Sequence, residues 1–128
     1  MNIRKRIISM ALTLVVLFSM MAMSVHAAIR YATADLYYYY EAVTTSILTG
    51  DYAEATCWNW AASDGYTFMI VYGKQGTDWI GLHAHQVAPG QEYYETNIDG
   101  NEVSKFYLYL GAGTDTTRAQ GLLGVYTD

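Results

Sequence analysis

From Ala28 onward, hydrophobic positions recur with a period of two rather than 3.6, in short runs rich in Tyr, Thr, Val and Ile. Phe68, Ile70 and Tyr72 alternate with Thr67, Met69 and Val71, and Phe106, Leu108 and Leu110 alternate with Lys105, Tyr107 and Tyr109, as half-buried strands do. Turn clusters punctuate the runs at Thr49-Gly50-Asp51, Ser63-Asp64-Gly65, Gly73-Lys74-Gln75-Gly76, Pro89-Gly90, Asn97-Ile98-Asp99-Gly100-Asn101 and Gly111-Ala112-Gly113. Strands are therefore expected over 29–38, 39–48, 52–62, 66–72, 79–87, 91–96, 103–110 and 118–126, the first two readable as one long bent strand. In the fifth of these, Ile80, Leu82, Ala84 and Ala88 share a face expected to point inward, with Gly81, His83, His85 and Val87 on the other. The fold class predicted is all-β: a single antiparallel β-sandwich of about seven strands, with a small β-barrel or a jelly roll as the alternative.

Val87-Ala88-Pro89-Gly90 resembles the turn that leaves a strand in immunoglobulin-like modules such as fibronectin type III. That resemblance implies immunoglobulin-like wiring for the sandwich.

Residues 1–27 read differently. Arg4, Lys5 and Arg6 precede an apolar run from Ile7 to Met23, and Val25-His26-Ala27 closes it with small residues at the −3 and −1 positions of a cut before Ala28. This is the grammar of a secretory signal peptide, with a bacterial look, and the run is too short to favour a membrane anchor. The chain is thus expected to divide into a signal peptide (1–27) and a β-sandwich domain (28–128) that is secreted and extracellular. No cysteine stands at the cut to carry a lipid, so the membrane is met only through the signal peptide before cleavage.

Excising the leader changes the charge. Arg30, Lys74, Lys105 and Arg118 remain against all 12 acids, a net −8 in place of −5. An acidic chain without Lys/Arg clusters is not expected to bind nucleic acid, which needs such clusters to displace counterions. All 13 tyrosines stay, and Cys57 is the one cysteine, so no intrachain disulfide is available and the thiol reads as a buried small hydrophobe.

Aromatic residues are the candidate chemistry. In extended chain Tyr37 and Tyr39 lie on one face and Tyr38 and Tyr40 on the other, so half of the run faces outward. Tyr52, Trp58 and Trp60 share one strand parity; Ala53, Ala55, Cys57 and Ala61 share the opposite one. If the small face packs inward, the large aromatics are displayed with Glu54 and Asn59 nearby as a platform on which sugar rings stack. The competing reading makes Trp58 and Trp60 core and the tyrosines cross-strand pairs that hold the sheet. His83 and His85, two apart on a strand, project two imidazoles from one face at a separation a metal ion can bridge, with Asp78, Glu92 or Glu95 as carboxylate candidates.

Catalytic signatures are missing. The chain carries no G-x-S-x-G elbow or P-loop, its acids are scattered, and Asp99-Gly100-Asn101 lacks the alternating oxygen ligands of a calcium loop. The expectation is a non-catalytic protein without a cofactor that binds an extracellular or cell-wall glycan through Tyr37, Tyr38, Tyr39, Tyr40, Tyr52, Trp58 and Trp60. Two alternatives stand beside it. One is a self-associating structural subunit that pairs strand edges within Ala34–Thr45, where only Asp35 and Glu41 guard the edge. The other is a bacteriocin-like secreted effector, similar in organisation to the lactococcin 972 type.

Overall fold

A computed structural model describes residues 28–128; the signal peptide expected over 1–27 lies outside the described residues. The alternating runs form β1 (Ala28–Leu36), β2 (Ala42–Thr44), β3 (Leu48–Thr49), β4 (Tyr52–Asn59), β5 (Thr67–Gln75), β6 (Asp78–Val87), β7 (Glu92–Ile98), β8 (Val103–Ala112) and β9 (Ala119–Thr127). One sheet has the order β1-β9-β4-β7 and the other β2-β8-β5-β6, with β3 paired to β8, all antiparallel. The two-sheet antiparallel sandwich expected from the alternation is the fold. Its wiring is the jelly roll, the alternative to immunoglobulin-like order, because segments 37–41, 50–51, 60–66, 88–91, 99–102 and 113–118 each carry the chain from one sheet to the other and only β5 and β6 follow each other within a sheet apart from the short β2 and β3. Period-two patterning fixes which face of a strand is buried and leaves open which sheet it joins.

The face of β4 is decided by volume. Ala53, Ala55, Cys57 and Asn59 point inward, and their small side chains meet Leu123, Val125, Met69, Leu108 and Leu110 in the core between the sheets. Cys57 is fully buried, and desolvation pushes its thiol up to about 12, so it packs as an inert small hydrophobe. Asn59, expected near a displayed surface, is instead interior: its Nδ2 donates to the carbonyls of Gly65 and Val87, both at 2.9 Å, tying the end of β4 to the opposite sheet.

Two expectations about β5 and β6 are corrected. Gly73-Lys74-Gln75-Gly76 is not a turn; β5 runs through Gln75, and the reversal falls at Gly76, whose φ of 62° suits a tight hairpin. Gly73 is buried within the strand because a Cβ there would stand 2.6 Å from Leu82 Cδ1. Leu82 is the extra residue of a bulge: Val71 pairs with His83 and Tyr72 with Gly81. The bulge shifts parity, so Val87 is buried and Ala84 exposed, the reverse of the uninterrupted alternation. His83 and His85 then turn toward β7.

Candidate functional site at the loop end

Four of the six sheet-crossing segments, 37–41, 60–66, 88–91 and 113–118, lie at one end of the sandwich, and their backbones are laced together. Tyr39 N–H donates to Asp115 O at 2.8 Å, Trp60 N–H to Arg118 O at 2.9 Å, Gly90 N–H to Asn59 O at 2.9 Å and Gly113 N–H to Tyr66 O at 2.9 Å. Ser63 Oγ accepts from Arg118 N–H at 2.8 Å and donates to Arg118 O at 3.0 Å, so Arg118 is held by its backbone from two sides. Thr114 donates to Asp64 Oδ1 at 2.6 Å and Thr116 donates to the same oxygen; these hydrogen bonds hold the Asp64 carboxyl below its ordinary range. Loops at one end of a rigid sandwich are where such folds place recognition.

On that frame stands an aromatic stack. The rings of Trp58 and Trp60 lie 4.7 Å apart at 26°, and the Arg118 guanidinium sits 4.2 Å from the Trp60 ring and 5.4 Å from the Tyr37 ring. Tyr40 meets Tyr37 edge-on at 6.2 Å. Trp58, Trp60, Arg118 and Tyr37 therefore form one ladder, with Arg118 as the rung between two rings. Both faces of Trp60 are occupied by Trp58 and Arg118, so it supports the ladder, while Trp58 and Tyr37 terminate it. Among the described residues no carboxylate comes within salt-bridge distance of Arg118; the one ion pair there is His83 with Glu95. Trp60 Nε1 is buried without a hydrogen-bond partner. Asp35, whose Oδ1 accepts from Gln120 Nε2 at 2.7 Å, and Gln120, directly opposite Trp58, supply polar groups beside the ladder.

The structure brings together some of the sequence-predicted residues and separates others. Tyr37, Tyr40, Trp58 and Trp60 converge at the loop end. Tyr38 and Tyr39 are exposed beside them, and the run is not a strand with alternating faces: β1 stops at Leu36, Tyr40 N–H donates to Tyr37 O at 3.2 Å, and Tyr39 adopts a φ of 68°. The chain must leave one sheet for the other there, so all four rings turn to solvent. Tyr52 sits at the opposite end of β4, stacked on Tyr126 at 4.8 Å, and does not join the platform.

At that opposite end Glu54 is the centre. Its Oε2 accepts from Tyr94 OH at 2.7 Å, and burial followed by a hydrogen bond to Glu54 pushes the Tyr126 phenol far above its ordinary range. Burial first, then the Glu54 charge, also raises Tyr31. Gly124 makes the room, because a Cβ there would lie 3.0 Å from both Glu54 Cγ and Tyr31 Cε1.

His83 and His85 both stack on Tyr93, with ring centroids at 5.7 and 3.6 Å. His83 Nε2 lies 2.8 Å from Tyr93 OH, which donates to Glu95 Oε2 at 2.9 Å, and His83 Nε2 stands 3.8 Å from that carboxylate. Glu95 is thus the one of the three carboxylate candidates brought to the pair. Among the described residues no three His, Cys, Asp or Glu side chains are grouped as metal ligands, and the cluster acts as a clasp between the edge strands β6 and β7.

Sequence reading missed Arg118, Tyr93 and a second aromatic surface. Tyr72 stacks on Tyr107 at 5.1 Å and meets Tyr109 edge-on at 6.3 Å, and Trp79 meets Tyr107 at 4.7 Å, cladding the outer face of the five-stranded sheet. The alternation of Tyr72, Tyr107 and Tyr109 against the buried Val71 and Leu108 was the signal for it. Arg118, one of four basic residues after position 27, carried no pattern of its own.

No family model and no curated protein matches the chain. Similar solved structures include the Yersinia pseudotuberculosis-derived mitogen, with 10% identity and a TM-score of 0.46 over 77% of this chain and 85% of that one. A family two carbohydrate esterase from Cellvibrio japonicus is similar at 7% identity and a TM-score of 0.45, over 80% of this chain and 34% of that one. A structure of the infectious bursal disease virus Gx strain is similar at 16% identity and a TM-score of 0.43, over 81% and 33%. The fold assignment rests on the strand order of the protein itself.

Proposed function

We propose that this protein is a small secreted, non-catalytic jelly-roll protein that binds an extracellular or cell-wall glycan at its loop end. The observation that carries the reading is the Trp58-Trp60-Arg118-Tyr37 ladder, which presents its terminal rings beside Tyr40, Asp35 and Gln120. An aromatic face takes the apolar side of a pyranose ring, and hydroxyls, amide and carboxylate groups around it take the sugar's hydroxyls. Backbone hydrogen bonds between the loops hold these groups in place before a ligand arrives, which lowers the ordering cost of binding.

Retention of the purified protein on insoluble peptidoglycan, chitin and cellulose, read beside tryptophan fluorescence, tests this. The expected result is retention on at least one matrix, with a shift in emission that the soluble fragment of that matrix reproduces. Trp58→Ala should weaken retention by about tenfold, the worth of one lost aromatic contact. Wild-type protein that passes all three matrices, with its emission unmoved by their fragments, overturns the reading.

A second reading, self-association, has one observation in its favour. Among the described residues β1 is a nine-residue edge strand paired only with β9, and Arg30 and Asp35 are its only charged residues. Light scattering across a hundredfold range of concentration, on the order suited to weak strand pairing, checks it; a constant monomer mass rejects it.

A further inference from the structure

Four features of Arg118 go beyond a sugar platform. Its guanidinium is planar, it is fixed between the Trp60 and Tyr37 rings at 4.2 and 5.4 Å, and its backbone is pinned by Ser63 and Trp60. No carboxylate pairs with it among the described residues, although 12 acids stand against four bases after position 27. Asp35 lies two residues from Tyr37 but is engaged by Gln120, and Asp64 is engaged by Thr114 and Thr116. Both of these acids are thus satisfied by neutral donors, and among the described residues no carboxylate pairs with the guanidinium. With aromatic rings 4.2 and 5.4 Å from its Cζ, the guanidinium still has its N–H groups to offer a ligand, and an N–H edge matches a carboxylate with two parallel hydrogen bonds.

We infer that the loop end recognises a carboxylate-bearing sugar, a uronic or sialic acid residue, with Arg118 as the carboxylate receptor and Trp58 and Tyr37 flanking the sugar ring. The inference rests on the glycan reading above and specifies its ligand class. The net −8 of residues 28–128 sharpens it further. Densely charged polyanions are repelled by the chain as a whole, whereas one carboxylate at contact distance from Arg118 is little affected by acids more than a Debye length of about 8 Å away. Sparsely charged glycans are the fitting class.

Calorimetric titration with matched pairs tests the inference: an oligosaccharide carrying a single glucuronic acid against the same oligosaccharide with that carboxyl reduced to the alcohol, sialyllactose against lactose, and dextran sulfate against dextran. The expected result is that one carboxylate-bearing ligand binds about 10- to 100-fold more tightly than its neutral partner, the worth of a paired charge-assisted contact. Arg118→Gln should erase that ratio while leaving residual affinity for the neutral partner. Arg118→Lys keeps the charge and lacks the planar fork, so it should lose most of the ratio; its thermal melt provides the check that the loop end is intact. Equal binding of acidic and neutral partners, unmoved by Arg118→Gln, overturns the acidic-sugar inference and leaves the platform reading standing. Preference for dextran sulfate over every carboxylate also overturns it, in favour of a general anion site. Binding of no sugar in any pair overturns both readings together.

Discussion

Strand β4 carries an aromatic cluster at each end, built from residues of the same parity, and the two clusters are opposites. Around Glu54 the phenol of Tyr94 donates inward to a carboxylate that also helps raise the buried Tyr126 phenol, Tyr52 stacks on Tyr126, and the centre of the cluster is an acceptor that is filled. Only the Tyr31 hydroxyl, turned toward Tyr126, is buried there without a hydrogen bond of normal geometry. Around Arg118 the rings of Trp60 and Tyr37 stand 4.2 and 5.4 Å from a cation that no carboxylate pairs with among the described residues. An aromatic cluster closed on its own polar centre holds a sheet together; one left open at that centre is a receptor. Aromatic count alone does not distinguish them.

The largest effect expected from breaking this contrast is at the closed end. Glu54→Leu removes the acceptor of the Tyr94 hydroxyl and the carboxylate beside the buried Tyr126, and should cost about 1 to 3 kcal/mol of folding stability, read from urea midpoints. Arg118→Gln removes cation-π contacts at a partly exposed site and should cost only about 0.5 to 1 kcal/mol. An equal loss from both substitutions would mean that the loop-end ladder is a structural cluster like the other.

A pH titration sharpens the same contrast at smaller amplitude. Tyr31, Tyr52, Tyr94 and Tyr126 are all raised above the ordinary phenol value, each by burial first, with Glu54 among the further causes. Folded phenols therefore hold their protons at a pH where unfolded ones, near 10, have lost them. The native state then binds more protons than the unfolded state, and stability falls as pH rises above about 10. Cys57, raised to about 12, acts in the same direction from about pH 9 upward. Stability should be flat between neutrality and about pH 9, then decline. Glu54→Gln should make the decline shallower without abolishing it, because burial is the larger cause. Arg118→Gln should leave the slope unchanged.

How far the sequence reaches is visible in particular residues. The split between the small Ala53-Ala55-Cys57 face and the large aromatic one was legible, but which of them packs inward was not; the structure buries the small face and displays Trp58. Turn chemistry at Ser63-Asp64-Gly65 and Pro89-Gly90 marked two of the four sheet crossings at the loop end. What stayed hidden was long-range. Nothing local to Arg118 says that β9 lies between β1 and β4, which is what brings it against Tyr37 and Trp60. The alternation in β6 read cleanly and was wrong about Val87, because a single bulge at Leu82 inverts every later position. Gly73 held the clue: a glycine inside a strand often marks a bulge or a close approach, and here it gives way to Leu82.

The smallest effect belongs to Tyr39, and it defines the edge of the receptor. Its side chain is 79% exposed, it is not one of the paired rings of the ladder, and its φ of 68° is a conformation that costs a residue with a Cβ about 1 to 2 kcal/mol. Glycine escapes that cost and loses more backbone entropy on folding, about 0.5 to 1 kcal/mol, so Tyr39→Gly should raise stability by at most about 1 kcal/mol. The hydrogen bond from residue 39 N–H to Asp115 O survives the substitution, so the loop keeps its course while the ring is gone. If the receptor is bounded by Tyr37, Trp58 and Arg118, glycan affinity is unchanged while the melting temperature holds or rises. A stable Tyr39→Gly protein with weakened binding would instead extend the receptor along the tyrosine turn, and would explain why a ring is kept where the backbone favours none.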